Sequence, residues 1–305
     1  MEVRGVLLQP VHHHRTVRHH TMQSSRHTRI MIRLLLSLVA LATGINGFTP
    51  AFVHTSTAAQ FGVKSSSSST QLSMALGGYK KVFVAGGSKG VGKSVVEKLA
   101  EEGCEVVALL RSDEAVAELS SIDGVTAVQG DAFDYKTVEG AMDGCDAAVT
   151  TLGGSTEDDG KRIDYTGNAN VIEAAGILGV TRCVLVTSIG CGSSKAAAPP
   201  AVFEVLKEVL AAKEKAENVL IKYYTNMNWT IIRPGGLKTE PMTGNAILTE
   251  DPNAIGSIHR EDVADLVVKS LASGKTERKI LSAFDPSITS AVAVDGLEIE
   301  AFALN

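Results

Sequence analysis

The feature that most constrains this chain is a glycine-rich turn joining two segments of different hydrophobic period. Lys81–Ala85 (KVFVA) is a short apolar run, the pattern of a buried strand. Gly90–Glu102 repeats apolar residues at helical spacing, with Val91, Val95, Val96 and Leu99 on one face and Gly103 as its stop. Between them runs Gly86-Gly87-Ser88-Lys89-Gly90-Val91-Gly92. A strand that enters a helix through such a turn aims backbone N–H groups and the positive end of the helix dipole at one spot. Two readings of the loop stay open. Glycines at 86, 90 and 92 permit the tight turn and the close approach of a dinucleotide pyrophosphate. Gly87, Gly92, Lys93 and Ser94 also spell the Walker A spacing of a P-loop NTPase. A P-loop NTPase needs a further strand that ends in an acid to hold the magnesium shell. The strand candidates here end in Leu110-Arg111, Thr151-Leu152 and Ser188-Ile189, which favours the dinucleotide.

From residue 79 onward, short apolar runs alternate with amphipathic stretches. Strands are expected at Glu105–Leu110, Val125–Gln129, Asp146–Leu152, Arg182–Ile189, Trp229–Arg233 and Lys279–Ala283. Helices are expected at Asp164–Leu178, Val202–Tyr224 and Arg260–Ala272. Alternation of this kind implies parallel pairing through right-handed crossovers. No repeat and no second core-sized segment is visible. The fold class is α/β, one doubly wound parallel sheet (Rossmann) spanning 79–305.

The end of the second strand bears on cofactor choice. An acid there accepts from the ribose 2′-hydroxyl of NAD(H), whereas an arginine suits the 2′-phosphate of NADP(H). Arg111 holds that place and Lys89 adds a cation in the loop, so NADP(H) is expected over NAD(H). Asp113 and Glu114 fit as acids at a helix start.

Charge divides the chain. Residues 1–78 hold seven Lys and Arg against the single acid Glu2, while 79–305 hold 22 bases and 33 acids. So acidic a body argues against a nucleic-acid partner. Seven of the eight histidines lie in the basic part, and the four cysteines show neither C-x-x-C nor a zinc-like spacing. No metal site is expected. The cysteines read as buried thiols, Cys191 being the one set in a loop near the expected site.

Residues 1–78 read as a targeting leader. Leu34–Ile45 is an apolar run of 12 residues behind Arg29 and Arg33, too short for a membrane span, which needs about 20 residues. It gives 31–47 the layout of a secretory signal, and 48–75, rich in Ser and Thr and lacking acids, the composition of a plastid transit peptide. In series they resemble the bipartite signals of algae with secondary plastids, Phe48 standing at the cleavage point.

The body resembles the short-chain dehydrogenase/reductase superfamily, in its atypical NAD(P)-binding branch with flavin/biliverdin-reductase-like and plastid members. The resemblance runs over about residues 80–285 and rests on five segments in order. Gly130-Asp131-Ala132-Phe133-Asp134 is similar to the segment that meets the adenine. Thr151-Leu152-Gly153-Gly154 stands where the fourth strand supports the ribose. Val186–Gly190 is similar to the strand carrying the active-site serine, here Ser188. Thr230–Leu237 resembles the segment beside the nicotinamide, with Pro234 and Gly235. His259–Ala264 is similar to the R-x-D-V-A helix start. The resemblance assigns cofactor contacts to Gly86, Gly87, Ser88, Lys89, Gly90, Val91, Gly92, Arg111, Asp131, Ala132, Thr151, Leu152, Gly153, Pro234 and Gly235. It assigns catalytic roles to Ser188 and Lys213.

One departure matters. The family's Tyr-x-x-x-Lys pair is broken: four residues before Lys213 stands Val209, and Asp164 replaces the supporting asparagine. Tyr165, Tyr223 and Tyr224 are the remaining nearby tyrosines, and Lys215 competes with Lys213 for the lysine role. Loops 191–200 and 238–257 should form the side that meets a small-molecule substrate. The expectation is a plastid NADPH-dependent reductase of a flavin, quinone or tetrapyrrole-like acceptor. The alternative is a non-catalytic NADP(H)-binding redox sensor or assembly factor with a partner in a plastid membrane complex.

Overall fold

Why the chain folds as it does is clearest in its first crossover. β1 (Lys81–Ala85) sends Val82 and Val84 into one core and Phe83 and Ala85 into the other, all fully buried. A strand buried on both faces must be apolar throughout. The computed structural model describes residues 76–154, 157–288 and 298–304; the expected signal and transit segments lie outside them. Leu76 already packs in the first core, three residues ahead of the expected start of the body at 79.

α1 (Gly90–Glu101) leads to β2 (Glu105–Leu110), α2 (Asp113–Leu119), β3 (Val125–Gln129), α3 (Tyr135–Met142) and β4 (Ala147–Thr150). A small antiparallel hairpin follows, β5 (Glu157–Asp158) and β6 (Lys161–Arg162), then α4 (Thr166–Ile177) and β7 (Arg182–Val186). A 3-10 turn at Gly192–Ala197 precedes α5 (Pro200–Tyr223) and β8 (Asn228–Pro234). The last part holds β9 (Gly236–Lys238), β10 (Ile247–Thr249), β11 (Ser257–His259), α6 (Arg260–Ala272) and β12 (Lys279–Phe284).

Eight strands form the central sheet in the order β10-β12-β8-β7-β4-β1-β2-β3. All pairings are parallel except β10 with β12. α1, α2 and α6 cover one face, and α3, α4 and α5 cover the other. The order reverses between β1 and β4, where a doubly wound sheet opens a crevice at its carboxyl edge. The expected doubly wound parallel α/β sheet is what the described residues form.

Some boundaries differ. The strands expected through Leu152 and Ile189 stop at Thr150 and Val186, although the N–H groups of Thr151, Thr187 and Ile189 still donate to carbonyls of the neighbouring strands. α5 starts two residues early, with Pro200 at its first position, where a missing N–H costs nothing. Loop 238–257 is not all loop. It contains the antiparallel edge strand β10, and its ends contribute to the parallel pair β9–β11.

At the amino edge of the sheet a guanidinium is buried without a carboxylate. Arg182 is 1% exposed and opens β7. It donates to the carbonyls of Leu271 (3.4 Å), Asn228 (2.8 Å) and Ser270 (2.6 Å) and to the hydroxyls of Thr230 and Thr276 (2.8 Å each). Ser270 and Leu271 lie in the last turn of α6, so the cation meets the negative end of a helix dipole. Burial pulls the Arg182 pKa down from its usual value, yet a guanidinium stays charged. Replacing Arg182 by Ala should lower the unfolding free energy by about 3 kcal/mol or more, through unsatisfied acceptors and a cavity. Urea denaturation of the full chain measures it. A loss below about 1 kcal/mol would show that the acceptors find other donors.

All four cysteines are free and buried. Burial pushes the thiols of Cys104 and Cys145 up to about 11 and those of Cys183 and Cys191 up to about 12. The thiolate is the nucleophile, so none should alkylate with iodoacetamide at pH 8 in the folded protein, while all four react in denaturant. Unfolded thiols ionise near pH 8.5, roughly, and the folded ones do not. This contribution to stability is therefore complete below that pH and is lost as pH rises toward 12. Rapid labelling of any one thiol in the native protein would contradict its burial.

Candidate functional site

The crevice at the carboxyl edge is a cavity of about 700 Å³. Its floor is the glycine turn. Gly86 adopts φ +87, and a Cβ on Gly92 would overlap the Gly86 carbonyl oxygen and the Thr151 hydroxyl. Only glycine fits at 92, and the absence of a side chain leaves α1 open at its N-terminus. Lys89 caps that helix with no side-chain hydrogen bond, and no acid stands in the first turn. The first N–H groups therefore face the cavity with the positive end of the dipole, a fit for a pyrophosphate.

Gly86, Ser88, Lys89, Gly90, Val91 and Gly92 all line the cavity. Arg111, Asp131 and Ala132 line the end beneath β2 and β3, and Thr151, Leu152 and Gly153 the edge of β4. Asp113 does not compete for Arg111's place in the cavity wall. Its carboxylate accepts from the Gln129 side chain, and Ser112 caps α2 by accepting from the Ala115 N–H. Pro234 and Lys213 close the far end. Gly87 and Gly235 stand behind the lining, Gly87 against Val96 and Gly235 against the Gly256 carbonyl.

Ser188 is also outside the lining; its hydroxyl donates to the Ile189 carbonyl at 3.0 Å. Thr187 takes the place expected for it. Side chains alternate along a strand, and Thr187 shares the parity of Cys183 and Leu185, which face α5. Lys213 comes from that helix, and both Thr187 and Lys213 line the cavity.

Lys213, not Lys215, reaches the site. Its ammonium donates to the Leu152 carbonyl at 3.3 Å and lies 3.2 Å from the fully buried carboxylate of Asp164. Lys215 lies over the Tyr165 ring instead. Arg162 approaches the other Asp164 oxygen at 3.7 Å and donates to the Gly154 carbonyl. No tyrosine lines the cavity. Tyr223 is 75% exposed, Tyr165 is partly exposed, and Tyr224 packs on the second core.

A buried ion pair holds Thr187 and the loop at residues 191–200. Arg233 binds Glu217 with both arms, Nε to Oε1 at 3.0 Å and a terminal nitrogen to Oε2 at 2.7 Å. The other terminal nitrogen donates to the hydroxyl of Ser193. Thr187 donates to Glu217 at 2.6 Å, so its proton is committed away from the cavity. Cys191, beside this network, is fully buried with its thiol donating to the Leu210 carbonyl; it is a packing residue.

The loop at residues 238–257 is held by a cluster of buried polar side chains. His259, Asp262 and Asp285 are buried and converge within 4.8 Å. Asp262 accepts from the N–H groups of Thr243 and Gly244, while Asp285 accepts from Thr243 and Ser287. The convergence thus already serves as a cap for the loop.

The Walker A alternative loses its lysine. Lys93 bonds Glu118 at 2.6 Å and approaches Glu97, and neither Lys93 nor Ser94 lines the cavity.

Comparison with known proteins agrees with this geometry. The chain is 32% identical to the uncharacterized sugar epimerase YhfK of Bacillus subtilis over 209 residues, 67% of this chain and 92% of that protein. It is 32% identical to the uncharacterized chloroplast protein At2g34460 of Arabidopsis thaliana over 213 residues, 66% of this chain and 75% of that one. The chloroplast protein TIC 62 of Arabidopsis is 28% identical over 178 residues, 52% of this chain and only 27% of its own length. Among solved structures, the anaerobilin reductase ChuY of Escherichia coli O157:H7 superposes with a TM-score of 0.62 at 28% identity. The match covers 68% of this chain and 98% of that one. The sequence model for NAD(P)H binding matches residues 86–274, from the first glycine of the turn to the residues just after α6. The match covers more than half of the chain, and the chain belongs to the NAD(P)H-binding family.

Proposed function

We propose that the protein is an NADPH-dependent reductase of the plastid, acting on a flavin, quinone or tetrapyrrole-like acceptor. The observation that carries the choice of cofactor is Arg111, which lines the cavity at the end of β2 where an acid would serve the 2′-hydroxyl of NADH. Lys89 lines the same end and adds positive charge. The bound dinucleotide supplies the hydride. The protein supplies orientation: Gly86 and Gly92 admit the pyrophosphate, Asp131 and Ala132 meet the adenine, and Lys213 holds the nicotinamide ribose. Asp164 keeps the Lys213 ammonium aimed across Leu152.

The acceptor class follows from what the cavity lacks. No described tyrosine lines it, and the Thr187 proton is bound to Glu217. An acceptor that takes hydride into a conjugated system and draws its proton from water needs no tyrosine acid. The chloroplast relatives and the leader expected over residues 31–75 support the plastid address. The same lack of a donor favours a second reading, an NADP(H)-binding redox sensor or assembly factor at a plastid membrane complex. Retention by plastid membranes that changes with NADPH, without turnover, would select it.

NADPH should bind more tightly than NADH, and Arg111→Ala should remove most of the difference. Charge-assisted hydrogen bonds contribute about 1.5–3 kcal/mol each, or about one to two decades in affinity. Calorimetric titration of both cofactors measures this, and equal affinities in the unmutated protein would refute the NADP(H) choice. Steady NADPH oxidation against a panel of flavins, quinones and linear tetrapyrroles tests the reaction. Tight cofactor binding with no turnover on any of them would reject the reductase.

A further inference from the structure

Arg260 stands at the first position of α6 and lines the cavity. Its side chain lies across the glycine turn: a Cβ built on Gly90 would stand 3.3 Å from Arg260 Cδ and 3.5 Å from its Nε. One terminal nitrogen donates to the Thr239 hydroxyl at 2.9 Å, and Thr239 also lines the cavity. No carboxylate forms an ion pair with Arg260 among the described residues. Two other cations near the site are held by carboxylates: Lys213 by Asp164 and Arg233 by Glu217. A guanidinium has five N–H donors, and Thr239 takes one.

We propose that Arg260 binds the dinucleotide pyrophosphate beside the start of α1, so that a helix N-terminus and an arginine both meet the anion. Sheet order decides which phosphate it meets. The 2′-phosphate belongs at the end of β2, beside Arg111. Arg260 is delivered by the chain leaving β8, β9 and β11, and comes down on Gly90 at the start of α1. That is where the pyrophosphate of a doubly wound fold sits. Thr239 is the positioning residue: it holds the guanidinium over the turn before any ligand arrives. A side chain at 90 would take the space Arg260 fills, which gives the glycine a role besides the turn itself.

The inference rests on the dinucleotide reading above and deepens it. The test titrates NADPH, NADH and ADP-ribose into the full chain and into its Arg260→Ala, Arg260→Lys and Thr239→Val variants, by calorimetry, with thermal melts to confirm folding. All three ligands share only the adenosine diphosphate ribose unit. Arg260→Ala should weaken all three by similar factors, about ten- to a hundredfold. Arg260→Lys should recover part of the loss, since a point charge replaces a fork. Thr239→Val should cost roughly two- to tenfold, the range of one neutral hydrogen bond. Unchanged affinities in Arg260→Ala would overturn the proposal while leaving the cofactor reading intact. A loss confined to NADPH would also overturn it, by moving the arginine to the 2′-phosphate. If the unmutated chain binds none of the three, the dinucleotide reading fails and this assignment with it.

Discussion

A side chain at position 92 would have to share space with the Gly86 carbonyl oxygen and the Thr151 hydroxyl, and the carboxyl edge of the sheet is arranged around that exclusion. Because the backbone of α1 comes so close to β1, the Thr151 hydroxyl can donate to the carbonyls of both Ala85 and Gly86. That ties β4 to β1 where the strand order reverses. The start of α1 has no side-chain cap, which leaves its first N–H groups free to receive an anion. Fold and ligand chemistry are one constraint here.

Two buried cations hold the β7–β8 half of the sheet, and they differ in kind. Arg233 is neutralised by a bidentate carboxylate and works at the carboxyl edge, where it fixes Thr187 and the turn at residues 192–197. Arg182 works at the amino edge with neutral oxygens alone, drawing on the dipole of α6. The pairing suits each place. Arg233 orders the residues beside the cavity through a fixed fork-to-fork pair, whereas Arg182 joins β7, β8 and the end of α6 through carbonyl and hydroxyl oxygens.

The layered sheet was legible in the sequence because strands buried on both faces carry apolar runs, as Val82–Ala85, Val106–Leu110 and Cys183–Val186 do in β1, β2 and β7. The cofactor floor was legible because only glycine tolerates the approach at 92. What was not legible depends on direction. Ser188 and Thr187 are adjacent hydroxyls at a strand end, and composition does not say which one faces α5. Arg260 reads in sequence as a helix start; its reach to Gly90 follows from how α1 and α6 pack, a contact between distant parts of the chain. β10 escaped notice because three residues of an edge strand carry little pattern, and its pairing to β12 comes from closing the sheet. The leader expected before residue 76 lies outside the described residues.

Chain order gives Arg182 a further meaning. Its acceptors Ser270, Leu271 and Thr276 come 88, 89 and 94 residues later. A chain delivered amino end first, from a ribosome or through a membrane pore, presents β7 long before those oxygens exist to receive the guanidinium. Until then the guanidinium lacks these acceptors. α1 waits for the same late element, since its apolar face packs against α6. α6 therefore serves both edges of the sheet: its last turn brings oxygens to Arg182, and Arg260 at its first position lines the cavity.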